Sequence, residues 1–325
     1  MASVVVVGSF NVDHVWQCDV LPAPGATLVG RYLTGPGGKG FNQAMASARA
    51  GAATHFLCAL GDDAGGVLAR ALAAATDIDL RAQASTAPTG TAGIYVDSRG
   101  RNCIVIGAGA NAELSPEFVE RQRAVIDGAS ILLTQLESPL DSVLAALRLA
   151  REGGACTTLL NPAPANVVAT KELLALADIL SPNETEFSAL LGRHVGERME
   201  PDDVAACDGA RLHGLCRELL RHGSVVLTLG AAGVFVSHPE DSERDAGKAY
   251  YRIGAEQVSV VDTTGAGDAF NGALAASLGA RPEQPFIEHV RYANRYAGLS
   301  TERLGAALAM PDASAVAKRF GEAAG

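Results

Sequence analysis

The chain lacks a basic excess: 26 Lys and Arg stand against 36 Asp and Glu in 325 residues, a formal charge of −10. That sign argues against a nucleic-acid partner or an anionic membrane and leaves any anionic ligand to a local site. Cysteine pairs are missing too. Cys18, Cys58, Cys103, Cys156, Cys207 and Cys216 are scattered, with no Cys-x-x-Cys and no histidine at metal-ligand spacing. This speaks against a disulfide framework or zinc site and for free thiols in a reducing compartment. None of the seven histidines stands with a Ser or Cys in a context that suggests a triad. No apolar run approaches membrane-spanning length and no basic segment leads into a hydrophobic signal core, so a cytoplasmic location is the default expectation. Two nucleotide signatures are absent as well. The first apolar run meets no G-x-G-x-x-G, which disfavours a dinucleotide oxidoreductase. Lys39 is followed by Gly40 where a Walker A loop has Ser or Thr for magnesium.

What is present describes an ordered protein, 48% hydrophobic and 19% charged, long enough for one large α/β domain or two smaller ones. The most informative stretch is 258–272, Val-Ser-Val-Val-Asp-Thr-Thr-Gly-Ala-Gly-Asp-Ala-Phe-Asn-Gly. It reads as a short strand over Val258–Val261, a glycine-punctuated turn from Asp262 to Gly267, and an alanine-rich helix opened by Asp268. A helix start offers unpaired N–H groups and partial positive charge, and Gly265, Ala266 and Gly267 are small enough for an anion to reach the main chain. A carboxylate there would repel a phosphate, so Asp268 reads as a base acting on the group that attacks it. An Asp N-cap on a plain βα turn is the other reading.

From the start of the chain, Ser3–Val7 is a continuous apolar run, as in a buried parallel strand, delivering Asn11 and Asp13 at its C-terminal edge, where open α/β sheets bind ligands. Two residues apart, they face the same way in an extended segment; a turn-forming Asx pair is the alternative. Short alternating pieces over 15–34 suggest an antiparallel excursion, and 91–106 reads as a hairpin around Asp97–Gly100. Between them Gly35-Pro-Gly-Gly-Lys-Gly-Phe-Asn-Gln opens a helix to about Ala50 and holds Lys39 and Asn42. Further strands are expected at 55–60, 131–136, 157–160, 179–180 and 225–229, with helices near 116, 140–152, 168–177, 184–191 and 203–222. This alternation predicts a mostly parallel sheet covered on both faces. The charged segment 237–250 reads as a solvated hairpin tip or surface loop. With no linker or repeat, residues 1–325 are expected to form one domain with a lid over about 12–36 and 91–107.

Asn11-Val-Asp13, Gly37-Gly-Lys-Gly-Phe-Asn42, Asn183-Glu-Thr-Glu186 and Asp262-Thr-Thr-Gly-Ala-Gly-Asp268 together resemble the ribokinase branch of the PfkB carbohydrate kinases. Gln135-Leu-Glu-Ser-Pro139, Asn161-Pro-Ala-Pro-Ala165 and Gly109–Ser115 strengthen the likeness, which runs from Val4 to about Pro311. It implies a three-layer α/β/α fold with a small β-sheet lid, and ATP-dependent phosphorylation of a sugar's primary hydroxyl, ribose leading. Another sugar or a nucleoside is the alternative, followed by a non-catalytic sugar sensor. Nucleoside kinases of this fold usually need apolar surface for the base.

By the same resemblance, Asp268 is the base and Gly265, Ala266 and Gly267 form the anion hole. Asn11, Asp13, Gly38, Lys39, Gly40, Asn42 and Glu137 line the sugar pocket. Asn183 and Glu186 serve phosphates and hydrated Mg2+, while Thr228, Gly230, Gly233, Gly267 and Asn294 border the nucleotide. Asp262, Thr264, Ser300, Arg303, Gly305 and Ala309 match a monovalent cation site, K+ in the family, and the lid implies a homodimer. Two residues depart from the family pattern. Ala309 replaces a common serine ligand, implying weaker potassium activation or a water in its stead. Phe41 stands where a small residue is usual and either packs into the helix behind the loop or reshapes the pocket.

Overall fold

The structure is a computed structural model that describes residues 3–167, 169–242 and 244–321. Its strands are β1 (Ser3–Val7), β2 (Asn11–Gln17), β3 (Arg31–Gly37), β4 (Ala53–Gly61), β5 (Asp79–Ser85), β6 (Gly90–Val96), β7 (Asn102–Gly107), β8 (Ile131–Thr134), β9 (Thr157–Leu160), β10 (Ile179–Leu180), β11 (Ser224–Thr228), β12 (Val234–Ser237) and β13 (Tyr250–Ile253). Nine form one sheet in the order β13-β12-β11-β10-β9-β8-β1-β4-β5. Pairing is parallel from β11 to β5, and β12 and β13 close one edge antiparallel.

Alternation along the central strands accounts for the layers. Val5 and Val7 join Leu57, Leu132, Leu160 and Leu227 in the core on one face. Val4 and Val6 join Phe56, Leu133, Leu159 and Val226 in the core on the other. Both faces being apolar, the strands read as continuous hydrophobic runs and helices cover both sides.

The remaining four strands make a separate sheet, β3-β2-β6-β7. β2 pairs antiparallel with β3 and β6 with β7, as the hairpin signals predict, while β2 and β6 run parallel at the centre. Trp16 stacks on Tyr95 with ring centroids 5.3 Å apart and lies 5.3 Å from Tyr32.

Several expectations fail in detail. Val258–Val261 is not a strand: Val260 and Val261 are exposed, and the N–H groups of Val261 and Asp262 donate instead to Thr301 O. A β-branched run makes a strand only against a surface it fits, and β13 already occupies that edge of the sheet. The helix expected at 168–177 is Lys171–Ala175, with Val168 outside the described residues, and that at 203–222 divides into Pro201–Val204 and Gly209–Leu219. The strands at 79–85 and 234–237 escape the reading.

The segment 237–250 does connect a hairpin, β12 to β13, but its polar groups are not all solvated. Asp245 turns inward, accepting from Tyr251 Oη at 2.5 Å and from the backbone N–H of Ile287 at 2.8 Å. His238 Nε2 lies 3.2 Å from Asp245 Oδ2, and its Nδ1 lies 2.8 Å from Ser224 Oγ. This row of Ser, His and Asp is invisible in the sequence. Ser224 and His238 are both buried, so the row ties the hairpin to the sheet.

Candidate active site

β1 ends at Val7 and β2 begins at Asn11, so the intervening turn crosses the C-terminal edge of the large sheet and enters the small one. The glycine loop before the Lys39–Arg49 helix packs onto that turn. Gly38, at φ 87, could carry no side chain: a Cβ would lie 2.8 Å from Asn11 N and 2.9 Å from Phe10 Cα. Phe41 N donates to Ser9 O at 2.9 Å, and Gly40 N to Ser9 Oγ at 3.4 Å. Phe41 itself is buried, 5.0 Å edge-on to Phe10 and 5.8 Å from Phe56. It packs behind the loop.

Glu137, just beyond β8, reaches this loop. Its Oε2 accepts from Ser9 Oγ at 2.6 Å and from Lys39 N at 3.0 Å. Asn11 is oriented by Asn111, which donates to Asn11 Oδ1 at 2.8 Å and exchanges bonds with the Phe10 backbone. Asp13 is partly buried; its carboxylate lies where a Cβ on Gly37 would sit. Burial first, then the charges of Glu137 and Asp268, push its pKa up to about 7. Burial would depress the Lys39 ammonium, yet Asp268, Glu137 and Glu186 outweigh it and hold its pKa above the usual value.

The helix expected to open at Asp268 opens at Ala266 and runs to Ala280, with Gly265 as N-cap at φ 74. Asp268 is therefore the third helical residue and points inward, 7% exposed. Its Oδ2 accepts from Asn42 Nδ2 at 2.9 Å and its Oδ1 from Gln43 Nε2 at 2.9 Å. Burial is the largest influence and raises its pKa, against Lys39 and the two amides, which lower it. Its raised basicity thus comes from desolvation. Of the three expected anion-hole amides, Ala266 N already donates to Thr263 O at 3.1 Å. Among the described residues, no acceptor takes those of Gly265 and Gly267.

Asn183 caps the Glu184–Leu190 helix in a capping box: Asn183 Oδ1 accepts from Glu186 N at 2.8 Å, and Glu186 Oε2 from Asn183 N at 2.9 Å. Burial raises the Glu186 pKa. Asn183 bridges to Thr228 at the end of β11, where a short turn at Gly230–Ala232 and Gly233 follow. Asn294, on the Phe286–Ser300 helix, donates to Gly254 O at 2.8 Å.

Asp262 straps the turn before the Ala266 helix to the 301–305 loop. Its Oδ1 accepts from Thr264 N at 2.9 Å and Oγ1 at 2.7 Å, and its Oδ2 from Gly305 N at 2.9 Å. Ser300 O accepts from Arg303 N at 3.4 Å, and Ala309 is buried with only a methyl to offer.

Asn11, Asp13, Gly38, Lys39, Gly40, Asn42, Glu137 and Asp268 thus meet around one sheet edge. Ser9, Gln43, Asn111, Gln135 and Asn161 belong to the same polar cluster and were not singled out from the sequence. The signal that could have found four of them is their place inside the motifs: Gln43 follows Asn42, Asn111 lies within Gly109–Ser115, and Gln135 and Asn161 each open one.

Buried carboxylates, a lysine and amides facing free N–H groups at a helix start suit transfer of an anionic group to a hydroxyl-rich acceptor. The family model for pfkB family carbohydrate kinases matches residues 1–313, and the chain belongs to that family. Within it, the chain is 37% identical over 312 residues to a ribokinase of Haemophilus influenzae, covering 95% of each. A ribokinase structure from Giardia lamblia superposes with a TM-score of 0.87 at 27% identity, covering 99% of both chains. The Arabidopsis thaliana ribokinase structure complexed with ribose and ATP gives 0.82 at 30% identity, covering 98% of both.

Proposed function

We propose that the protein transfers the γ-phosphoryl group of ATP to the primary hydroxyl of D-ribose, yielding ribose 5-phosphate and ADP. The observation that carries this reading is the convergence of Asp268, through Asn42, with the polar loop of Lys39 and Glu137 at the free start of the Ala266 helix. Whole-length similarity to ribokinases supports ribose as the acceptor.

In this reading Asp268 takes the proton of the hydroxyl, whose oxygen bonds to the γ-phosphorus as the bond to the β-phosphate oxygen breaks. ADP leaves, and Asp268 later releases the proton to solvent. The N–H groups of Gly265 and Gly267 meet the charge on the transferring group, where one such donor is worth roughly 3–4 kcal/mol. Asn11, Asp13, Asn42, Lys39 and Glu137 satisfy the sugar hydroxyls, because each left unpaired on burial is penalised. Thr228, Gly230, Gly233 and Asn294 border the nucleotide.

Glu186 has the chemistry to hold hydrated Mg2+ through water, its carboxylate buried and fixed by the capping box. The metal would neutralise phosphate charge. By the family resemblance, Asp262, Thr264, Ser300, Arg303, Gly305 and Ala309 form a cation site, several through backbone carbonyls. Such a site would hold a monovalent cation such as K+, with one side-chain ligand fewer at Ala309. The small sheet acts as a lid over a single domain. Its exposed Tyr32, Ile104, Val105 and Ile106 fit pairing of two lids in a homodimer. The six free thiols fit the cytoplasm.

The test is a coupled assay for ADP release with ribose, deoxyribose, other pentoses, hexoses and adenosine. The highest kcat/KM is expected with ribose. A preference for adenosine would replace the acceptor, and no turnover with any of them would sink the kinase reading.

A further inference from the structure

Gln43 is fully buried, one residue past Asn42, and its side-chain amide has three partners. Nε2 donates to Asp268 Oδ1 at 2.9 Å and to Asn161 Oδ1 at 3.0 Å, while Oε1 accepts from Gln135 Nε2. A primary amide donates from one end and accepts at the other. Turning it over would set its oxygen against the Asp268 carboxylate and the Asn161 carbonyl oxygen, and its NH2 against that of Gln135. One orientation is therefore selected. Asn161 is fixed in turn: its Nδ2 donates to Ser181 O at 2.8 Å and reaches Glu186 Oε2 at 3.5 Å.

From these contacts we propose that Gln43 is a positioning residue for phosphoryl transfer, holding Asp268 in one orientation and linking it through Asn161 to Glu186. The proposal rests on Asp268 being the base. With Asn42 on the other oxygen, each carboxylate oxygen is fixed by one amide, so rotation of the Asp268 side chain would break both bonds. Two buried amides, Gln43 and Asn161, thus lie between the Asp268 carboxylate and that of Glu186, and Gln135 holds the carbonyl end of Gln43. A purely structural glutamine would only satisfy its neighbours, and removing it would cost stability without altering the base.

The two roles separate in the pH dependence of kcat. The charged groups that face Asp268 are Lys39 from its own glycine loop, Asp13 from β2, Glu137 from beyond β8, and Glu186 from the Glu184–Leu190 helix. None of these charged groups is removed when Gln43 is changed, so a shift in the acid limb reports the lost amide. A hydrogen bond to an ionised carboxylate favours the ionised form, and its loss moves the group's pKa up.

The experiment measures kcat, KM for ribose and KM for ATP between about pH 5 and 9 for the full chain, Gln43→Met and Gln135→Met. For Gln43→Met, kcat is expected to fall about tenfold with both KM values within about twofold, and the acid limb to move up by about one pH unit. Gln135→Met removes only the partner of the Gln43 carbonyl oxygen, leaving the amide held by Asp268 and Asn161, and is expected to move both in the same direction by less. It carries the test if Gln43→Met does not fold. Folded variants whose kcat profiles superimpose on that of the unchanged chain would overturn the proposal. An unchanged chain that phosphorylates no sugar would instead remove the kinase reading, so the two failures are distinguishable.

Discussion

Ser9 and Glu137, 128 residues apart in sequence, are joined by a 2.6 Å hydrogen bond from the serine hydroxyl to Oε2 of the carboxylate. The same oxygen accepts from the Lys39 backbone, so Glu137 is held between the β1–β2 turn and the glycine loop. Ser9→Ala should release one of these two restraints. Because a hydrogen bond to a charged group contributes roughly 1.5–3 kcal/mol, KM for ribose is expected to rise about tenfold with kcat nearly unchanged. Steady-state kinetics over ribose concentration check this; an unchanged KM would mean that Glu137 does not depend on Ser9 for its position.

Asp268→Asn keeps the shape of the side chain and removes its capacity to take a proton. The expected result is a fall in kcat of at least about a hundredfold with ATP affinity retained, read by calorimetry alongside the coupled assay. In the unchanged chain, burial raises the Asp268 pKa, so kcat should be lost on acidification at a pH above the ordinary aspartate value of about 3.9. An acid limb at or below that value would contradict the assignment.

Asp13 carries a stability cost whose pH window follows from its pKa near 7. The folded state holds the proton more tightly than the unfolded chain, where the pKa is about 3.9. Below that value both states are protonated and the cost vanishes. It grows as pH rises from there toward 7 and is fully present above. Asp13→Asn is therefore expected to stabilise the ligand-free protein above pH 7, by an amount on the order of 1 kcal/mol, and to leave it unchanged near pH 4. Thermal melts across pH check the sign, and weaker ribose binding by the same variant checks the site.

Ala309 presents only a methyl group where a hydroxyl could complete the proposed cation shell. Ala309→Ser should increase the ratio of kcat/KM in potassium to that in sodium. Identical rates in both salts before and after the change would count against a cation site beside Asp262.

How much of this was legible in advance depended on whether a residue's role is local. Asn11, Asp13, Lys39 and Asp268 sit where a strand or loop hands over to the next element, and such positions are marked by glycine and by the end of an apolar run. The hairpins of the small sheet were legible because alternation and a tight turn are both short-range signals. Gln135 and Asn161 stand out in the sequence only as parts of motifs, because their importance arises from contacts with Gln43 across 92 and 118 residues. β5 escaped because Asp79-Leu-Arg-Ala-Gln-Ala-Ser is an edge strand with polar side chains and little apolar contrast. Val258–Val261 misled for the opposite reason, carrying strand-forming side chains to a place without a partner.

Asn11, Asp13 and Trp16 lie on a single strand, β2, and Trp16 is the only tryptophan of the chain. Any tilt that brings the first two onto a sugar carries the indole with it, relative to Tyr32 and Tyr95. The protein therefore contains its own optical probe: ribose titrated against intrinsic emission reads pocket occupancy directly, without a label and without turnover.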